Sequence, residues 1–432
     1  MTELAHPPAG TPLPPPTESS YLKLRNEILA GGTDGPTADE TAGGPRALIG
    51  LGIILALLVA LGLWSGWALL FVIGLLVCVF LHELGHFVTA RLTGMKATQF
   101  FLFMGPKLWS FKRGETEYGV RAYPVGAFVR IIGMNNLDEV DPADEPRAYR
   151  NKSYPRRLLV ITAGSLMHML IALVLITGVY AINGQREASG RVAINVAASG
   201  PAEAAGLRTD DVIVSIDGVT PSTPEGFVSL IHAHQPGDSV AVVVDRAGTE
   251  MSFRVGLGSN PNQGDSFGTA YLGVGSGEEI IWGNGPISEA VPAAISDLGS
   301  QSWQSVLGVV KVLNPVTILG HLAGTNDDPA TRPSTVVGIS RATRDIGISE
   351  GLAGVVLVLA AVNIFIGLFN MIPLLPFDGG HAAIATYERI RSRRGKTPYR
   401  ADINKMVPVA MATMALLAFL FVSAFYLDIV KT

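Results

Sequence analysis

The sequence predicts a polytopic α-helical membrane protein of about five spans, with an α/β unit inserted between them. Three observations predict it. Of the 432 residues, 48% are hydrophobic and only 16% are charged, and the mean hydropathy is +0.37. The apolar residues gather in runs comparable to the ~20 residues that cross a bilayer. Finally, His82, Glu83 and His86 sit inside one such run. Each ionisable group there costs roughly 2.5–3.5 kcal/mol to insert and is rare without a role. The net charge of −4 offers no bulk positive charge for nucleic acid. The single cysteine, Cys78, lies in an apolar run, so any disulfide would be intermolecular.

Residues 1–46 are rich in Pro, Gly and Thr and cannot bury enough apolar surface to offset their ordering entropy. They read as a disordered tail and not as a cleavable signal. From Ala47 to Leu81 the chain is uncharged, too long a run for one span. Trp64-Ser65-Gly66-Trp67 offers a break, because tryptophan favours the interface and glycine favours a turn. The run therefore divides into a helix at 47–63 and a second at 67–90. A single long tilted helix is the rival reading. Further spans follow at 158–182, at 350–372 and at 406–427, and the basic stretch 381–405 reads as a loop.

Basic residues set the expected orientation. The loop 91–157 carries Arg91, Lys96, Lys107, Lys112 and Arg113 among others, and the loop after the fourth span carries Arg389, Arg391, Arg393 and Arg394. Both belong in the cytoplasm, as does the N-terminus. The stretch 184–349 is poorer in basic residues and belongs outside, with the C-terminus. Within 91–157, residues 119–132 alternate around Pro124-Val125-Gly126 and read as a β-hairpin dipping toward the membrane. Its edge, with Gly126 and Phe128 as candidate contacts, would pair with an unwound substrate segment. An ordinary cytoplasmic hairpin is the alternative.

The stretch "FLHELGHFVTARLTG" holds H-E-x-x-H at His82–His86. Residues i and i+4 share one helix face, so two imidazoles can reach one zinc while Glu83, beside them, holds and deprotonates a water. A third protein ligand is needed to leave one position open. Asp378 in "FNMIPLLPFDGGHAA" is the candidate: it follows a span on the same side as the histidines. Pro373 and Pro376 break the helix there, and Gly379-Gly380 allow close backbone approach. A turn aspartate with no metal is the bland alternative.

"HELGH" and "NMIPLLPFDGG" together resemble the site-2 protease family of intramembrane zinc metalloproteases. The likeness covers most of residues 67–428. "GETEYGVRAYPVGAFVRIIGM" and "LLPFDGGHAAIATYERIR" bring it nearest to actinobacterial members of the bacterial branch that cuts anti-sigma factors. The resemblance implies a four-span core, with 47–63 an extra helix, in a bacterial cell membrane. It implies one catalytic zinc on His82, His86 and Asp378, with Glu83 as general base. Asn370, and Pro373 with it, would hold the substrate backbone or stabilise the oxyanion. The implied substrate is a single-span protein such as an anti-sigma factor, already shortened by another protease. The chain departs from the family where Phe377 replaces a leucine. It also departs in the second core span, where Ala163-Gly164-Ser165-Leu166-Met167-His168 lacks the usual proline and asparagine.

Residues 186–260 read as a mixed α/β unit resembling a bacterial PDZ domain, with a hairpin turn at Ala247-Gly248. It would bind a peptide C-terminus by strand addition or filter substrates by size. Residues 280–349 read as an extracytoplasmic linker with amphipathic helices, too polar to span. His232 and His234 lie two apart on a helix and share no face. His168 is either a polar relay or a satisfied core group, and His381 neighbours the site at best. A catalytically inactive PDZ-containing scaffold is the alternative function. A metal transporter would be expected to repeat its ligands along several spans.

Overall fold

The computed structural model describes residues 45–134, 138–261, 267–283, 285–312, 314–326, 331–392 and 399–430. The tail expected over 1–46 lies outside these residues but for its last two. The chain divides into two compact units, one of Met1–Val179 with Ala294–Thr432 and one of Tyr180–Ala293.

The first unit is mainly helical. Helix α1, Pro45–Trp64, and helix α2, Gly66–Leu92, are separated at Ser65. The Ser65 hydroxyl accepts a hydrogen bond from the Ala68 N–H, capping α2. Helix α3 is Tyr154–Asn183, α8 is Val336–Phe369, α9 is Asp378–Arg391 and α10 is Val407–Val430. Among the described residues, four helices (α2, α3, α8 and α10) are each long and apolar enough to cross a membrane. The apolar stretch of α1, Leu48–Trp64, is shorter.

Helix α8 begins well before the expected 350. Arg341, Arg344, Asp345 and Glu350 give its first half a polar character that hides the helix from hydropathy. Gly351, with φ 65° and ψ −149°, breaks the helix there, in a region of backbone space essentially limited to glycine. The N-terminus of α8 is capped from the last span: Asp428 accepts from the Thr335 N–H at 2.7 Å and from the Gly338 N–H at 3.2 Å. The segment expected as the basic loop 381–405 opens as helix α9 instead. Ala382, Ala385 and Ile384 are buried on its inner face, and that burial, which sequence alone does not display, holds it.

The hairpin expected over 119–132 is replaced by a longer sheet of β1, Ala97–Arg113, and β2, Thr116–Ile131. The tight turn is at Gly114-Glu115, with Arg113 opposite Thr116. The two arms of 119–132 do not pair with each other, because residues 99–102 sit between them. Phe101 has Phe128 on one side and Gly119 on the other. The sequence pattern marked the bend near Gly126 but not the inserted strand. That strand is long, apolar and lacks alternation, and such runs do not separate strand from helix. Phe101 and Phe128 stack at 5.6 Å, and the Arg121 guanidinium lies over both rings.

The second unit contains β3 (Arg186–Val196), a short helix α4 (Pro201–Ala204), β4 (Val212–Ile216), helix α5 (Pro224–His232), β5 (Ser239–Arg246), β6 (Thr249–Gly256), a small β7–β8 ladder (Gly258–Ser259 and Ala270–Tyr271) and β9 (Val274–Trp282). The main sheet has the order β6-β5-β4-β3-β9. Val240, Val242 and Val244 alternate into the core, where Phe227 and Ile231 of α5 meet them. The β5–β6 turn is Ala247-Gly248, both with positive φ, as a two-residue hairpin requires. The expected boundary at 260 is too early, since β9 completes the sheet. Its sequence "VGSGEEIIW" is rich in Gly and Glu, and its place at the sheet edge leaves it little apolar signal.

Helices α6 (Ile287–Val312) and α7 (Pro315–Ala323) follow. The expectation from sequence is that this region is too polar to span; by length and composition the two helices together, bent by 69°, suffice for one broken span or a re-entrant loop. The polar residues lie mainly in α6, where Glu289, Asp297, Gln301, Gln304 and Lys311 dilute the apolar run.

Asp211 ties β4 to the β5–β6 hairpin of the second unit. Its side chain is 1% exposed and accepts two hydrogen bonds from Arg246, at 2.6 and 2.7 Å. The Arg208 backbone N–H adds a third at 2.8 Å. Burial alone raises the Asp211 carboxyl, but the bonds from Arg246 and Arg208 outweigh it and hold the pKa below the usual carboxylate range. The folded unit therefore binds this proton more weakly than the unfolded chain does. The stabilisation is complete above the ordinary aspartate value and is lost as pH falls toward the folded one. Hydrogen exchange in β4 and β5 of the intact protein should accelerate as pH is lowered through this window, after correction for intrinsic rates. Asp211→Ala should remove the pH dependence and destabilise the unit by about 1.5–3 kcal/mol at neutral pH, as loss of hydrogen bonds to a charged group does. Unchanged protection in that variant would refute the assignment.

Candidate metal centre

Helix α2 places His82, Glu83 and His86 in its C-terminal half. The chain after α8 brings a carboxylate to them. Asn370 ends α8, and the following turns fold back so that Gly379 N–H donates to the Asn370 carbonyl at 2.9 Å. A side chain at Gly379 would overlap the Met371 and Ile372 carbonyls, and one at Gly380 would strike Leu374, so this return needs two glycines. Asp378 thereby becomes the first residue of α9, where the helix dipole favours a carboxylate.

The three donor atoms converge. His86 Nε2 lies 3.2 Å from Asp378 Oδ2 and 3.2 Å from His82 Nε2, and His82 Nε2 lies 3.6 Å from Asp378 Oδ2. All three atoms fall within 4.8 Å of one another. Ligands at zinc distances of ~2.0–2.2 Å in a tetrahedron stand about 3.4 Å apart, so the triangle matches one zinc with a fourth position free. His86 is buried and its Nδ1–H donates to the Val160 carbonyl of α3 at 2.7 Å. That bond fixes the tautomer and leaves the Nε2 lone pair facing the site. Asn370 Nδ2 donates to Asp378 Oδ2 at 2.6 Å and lies 3.4 Å from His82 Nε2. The Glu83 carboxylate is 4.0 Å from His82 Nε2.

Helix α3 backs the centre at Gly164. A methyl group there would overlap His82 Cε1, His82 Nε2 and His86 Nε2 at once. Helix α9 is clamped to α3 by a buried ion pair: Arg157 donates to Glu388 at 2.7 Å, and the Ala401 N–H donates to the same carboxylate at 2.8 Å.

A family model described as peptidase family M50 matches residues 70–417. The chain belongs to peptidase family M50. The resemblance drawn from "HELGH" and "NMIPLLPFDGG" is thus confirmed, including its actinobacterial leaning. The chain is 34% identical to "Zinc metalloprotease Rip1" of Mycobacterium tuberculosis over 383 residues, covering 80% of this chain and 93% of that protein. It is 31% identical to the protein of that name in Mycolicibacterium smegmatis over 389 residues, covering 81% and 93%. A "Putative zinc metalloprotease" of Clostridium acetobutylicum is 27% identical over 357 residues, covering 82% and 94%.

Within this M50 chain, the structure brings His82, Glu83, His86, Asp378 and Asn370 to one place. A cleft beside them is lined by Glu83, His86, Asp378, Phe128, Val129 and His381 among others. Pro373 is exposed and, like Gly126, is not among the cleft-lining residues; Pro376 is. Sequence reasoning missed the Val160 carbonyl and the packing role of Gly164. The first carries no side-chain signal at all. The second was visible only as a glycine in "TAGS".

Proposed function

We propose that His82, His86 and Asp378 are the zinc ligands, and Glu83 the general base, of a centre that cuts peptide bonds inside transmembrane segments of single-span proteins. The chain is a membrane-embedded, multi-pass zinc metalloprotease of the site-2 protease type. The observation that carries the site assignment is the donor triangle, built from two distant parts of the sequence, with edges that fit one tetrahedral ion.

Zinc, when bound, supplies a Lewis acid that polarises the scissile carbonyl and acidifies water. The chain's own residues do the rest. Glu83 takes a proton from the attacking water and delivers it to the leaving amine. Asn370 holds Asp378 in place through its amide, and Val160 holds His86. The strand 127–131 forms one wall of the cleft through Phe128 and Val129, and among the described residues no strand pairs with its other edge. A helical substrate shields its peptide bonds, and adding an extended segment to that edge would expose them.

The substrate class is an anti-sigma-factor-like protein after a first cut elsewhere. The reading places the protein in a bacterial cell membrane with the first unit's basic loops and N-terminus in the cytoplasm. The second unit is PDZ-like and lies outside, together with the C-terminus. There it filters by size or takes a peptide C-terminus.

The test uses the whole protein in lipid nanodiscs with a single-span substrate. One zinc per chain is expected. Chelation should abolish cleavage and stoichiometric zinc should restore it. Alanine at His82, His86 or Asp378 should lower zinc below one per chain. Full zinc occupancy in all three variants would overturn the ligand set.

A further inference from the structure

Behind the ligand triangle lies a polar group that the proposed chemistry leaves unused. Cys78 of α2, His168 of α3 and Asn363 of α8 meet in the interior. Asn363 is 0% exposed and His168 is 1% exposed. Such groups at membrane depth are costly unless each is satisfied.

The amide of Asn363 can be oriented from its partners. One of its two atoms faces the Leu359 carbonyl at 2.7 Å. A carbonyl only accepts, so that atom is the nitrogen, which also lies 3.2 Å from Cys78 Sγ. The oxygen is then the atom that faces His168 Nδ1 at 2.7 Å. An amide oxygen cannot donate, so the hydrogen sits on His168 Nδ1. The rotamer and the ring plane of His168 are fixed by this bond.

That ring lies against a ligand. The His168 and His82 centroids are 4.9 Å apart with planes inclined at 42°. His82 also meets the His86 ring edge-on at 4.8 Å. Cys78, four residues before His82, lies on the same face of α2. Three helices therefore meet around Asn363, and one of the side chains it holds lies against His82.

We infer that His168, held by Asn363, is a positioning residue for His82. The hydrogen bond sets the His168 ring, and the ring face sets the direction of His82 Nε2. This inference rests on the zinc-centre reading. The two fail separately, because loss of that reading would show as absent zinc in the unaltered protein.

The variant His168→Asn keeps an amide where Nδ1 stood and removes the ring, so the buried bond to Asn363 persists. The whole protein in detergent should keep its helicity and thermal midpoint. Zinc affinity, measured by chelator competition, should fall about tenfold, in the range seen when groups supporting a ligand are removed. The visible absorption of the cobalt-substituted protein should shift, which a purely structural substitution would not cause. Asn363→Leu should shift the same bands, and the double variant should be no worse than His168→Asn alone. Zinc affinity within twofold of the unaltered protein and an unshifted cobalt spectrum in His168→Asn would overturn the inference. Additive losses in the double variant would overturn the link through Asn363.

Discussion

Replacing Glu83 by Gln should lower the rate of peptide cleavage by about 10³-fold or more while leaving one zinc per chain. Glu83 is not one of the three converging donors, and its carboxylate stands 4.0 Å from His82 Nε2. Its loss therefore leaves the donor triangle intact. The amide cannot accept the proton of an attacking water. General acid–base groups contribute about 10²–10⁴-fold, and 10³-fold corresponds to ~4 kcal/mol of barrier. The measurement pairs metal analysis with cleavage of a single-span substrate in nanodiscs. The same variant serves as a trap, because it binds substrate without turning it over. Cleavage at an undiminished rate would remove Glu83 from the chemistry and favour another base in the cleft.

Gly164→Ala should cost the protein its metal. This is the larger perturbation in structural terms, though it adds only a methyl group. The added carbon would occupy space already filled by Cε1 and Nε2 of His82 and by Nε2 of His86. Neither ring can withdraw freely. His86 is held by the Val160 carbonyl, and His82 is flanked by the rings of His86 and His168. Overpacking of a close-packed site costs typically ~1–3 kcal/mol, and the strain falls on His82 and His86 themselves. Zinc should drop well below one per chain and activity should fall with it, while the helical content is retained. Full occupancy with normal turnover would mean that α3 does not back the centre as closely as described.

Some of this was legible in the residues. The paired histidines at i and i+4 with a glutamate between them fix their own geometry once a helix forms, because helix periodicity alone puts them on one face. Apolar runs declare spans for the same local reason. The break within Trp64–Trp67 was readable because the interface preference of tryptophan and the turn preference of glycine act locally. The polar first half of α8, the strand 97–104 and the closing strand β9 were not readable. Each is decided by what it packs against, and a charged helix or a long apolar strand gives no periodic sign of its partner.

The sequence by itself determined the membrane character, the helix that carries His82, Glu83 and His86, and the chemistry of a zinc centre, since these follow from composition and from spacing within one helix. Only the tertiary structure decided that Asp378 meets those histidines, that Gly164 must be small and that His168 faces His82. Those contacts join residues far apart in the chain. Their distances depend on how α2, α3 and α8 pack, and that packing is set by interlocking surfaces no local segment encodes.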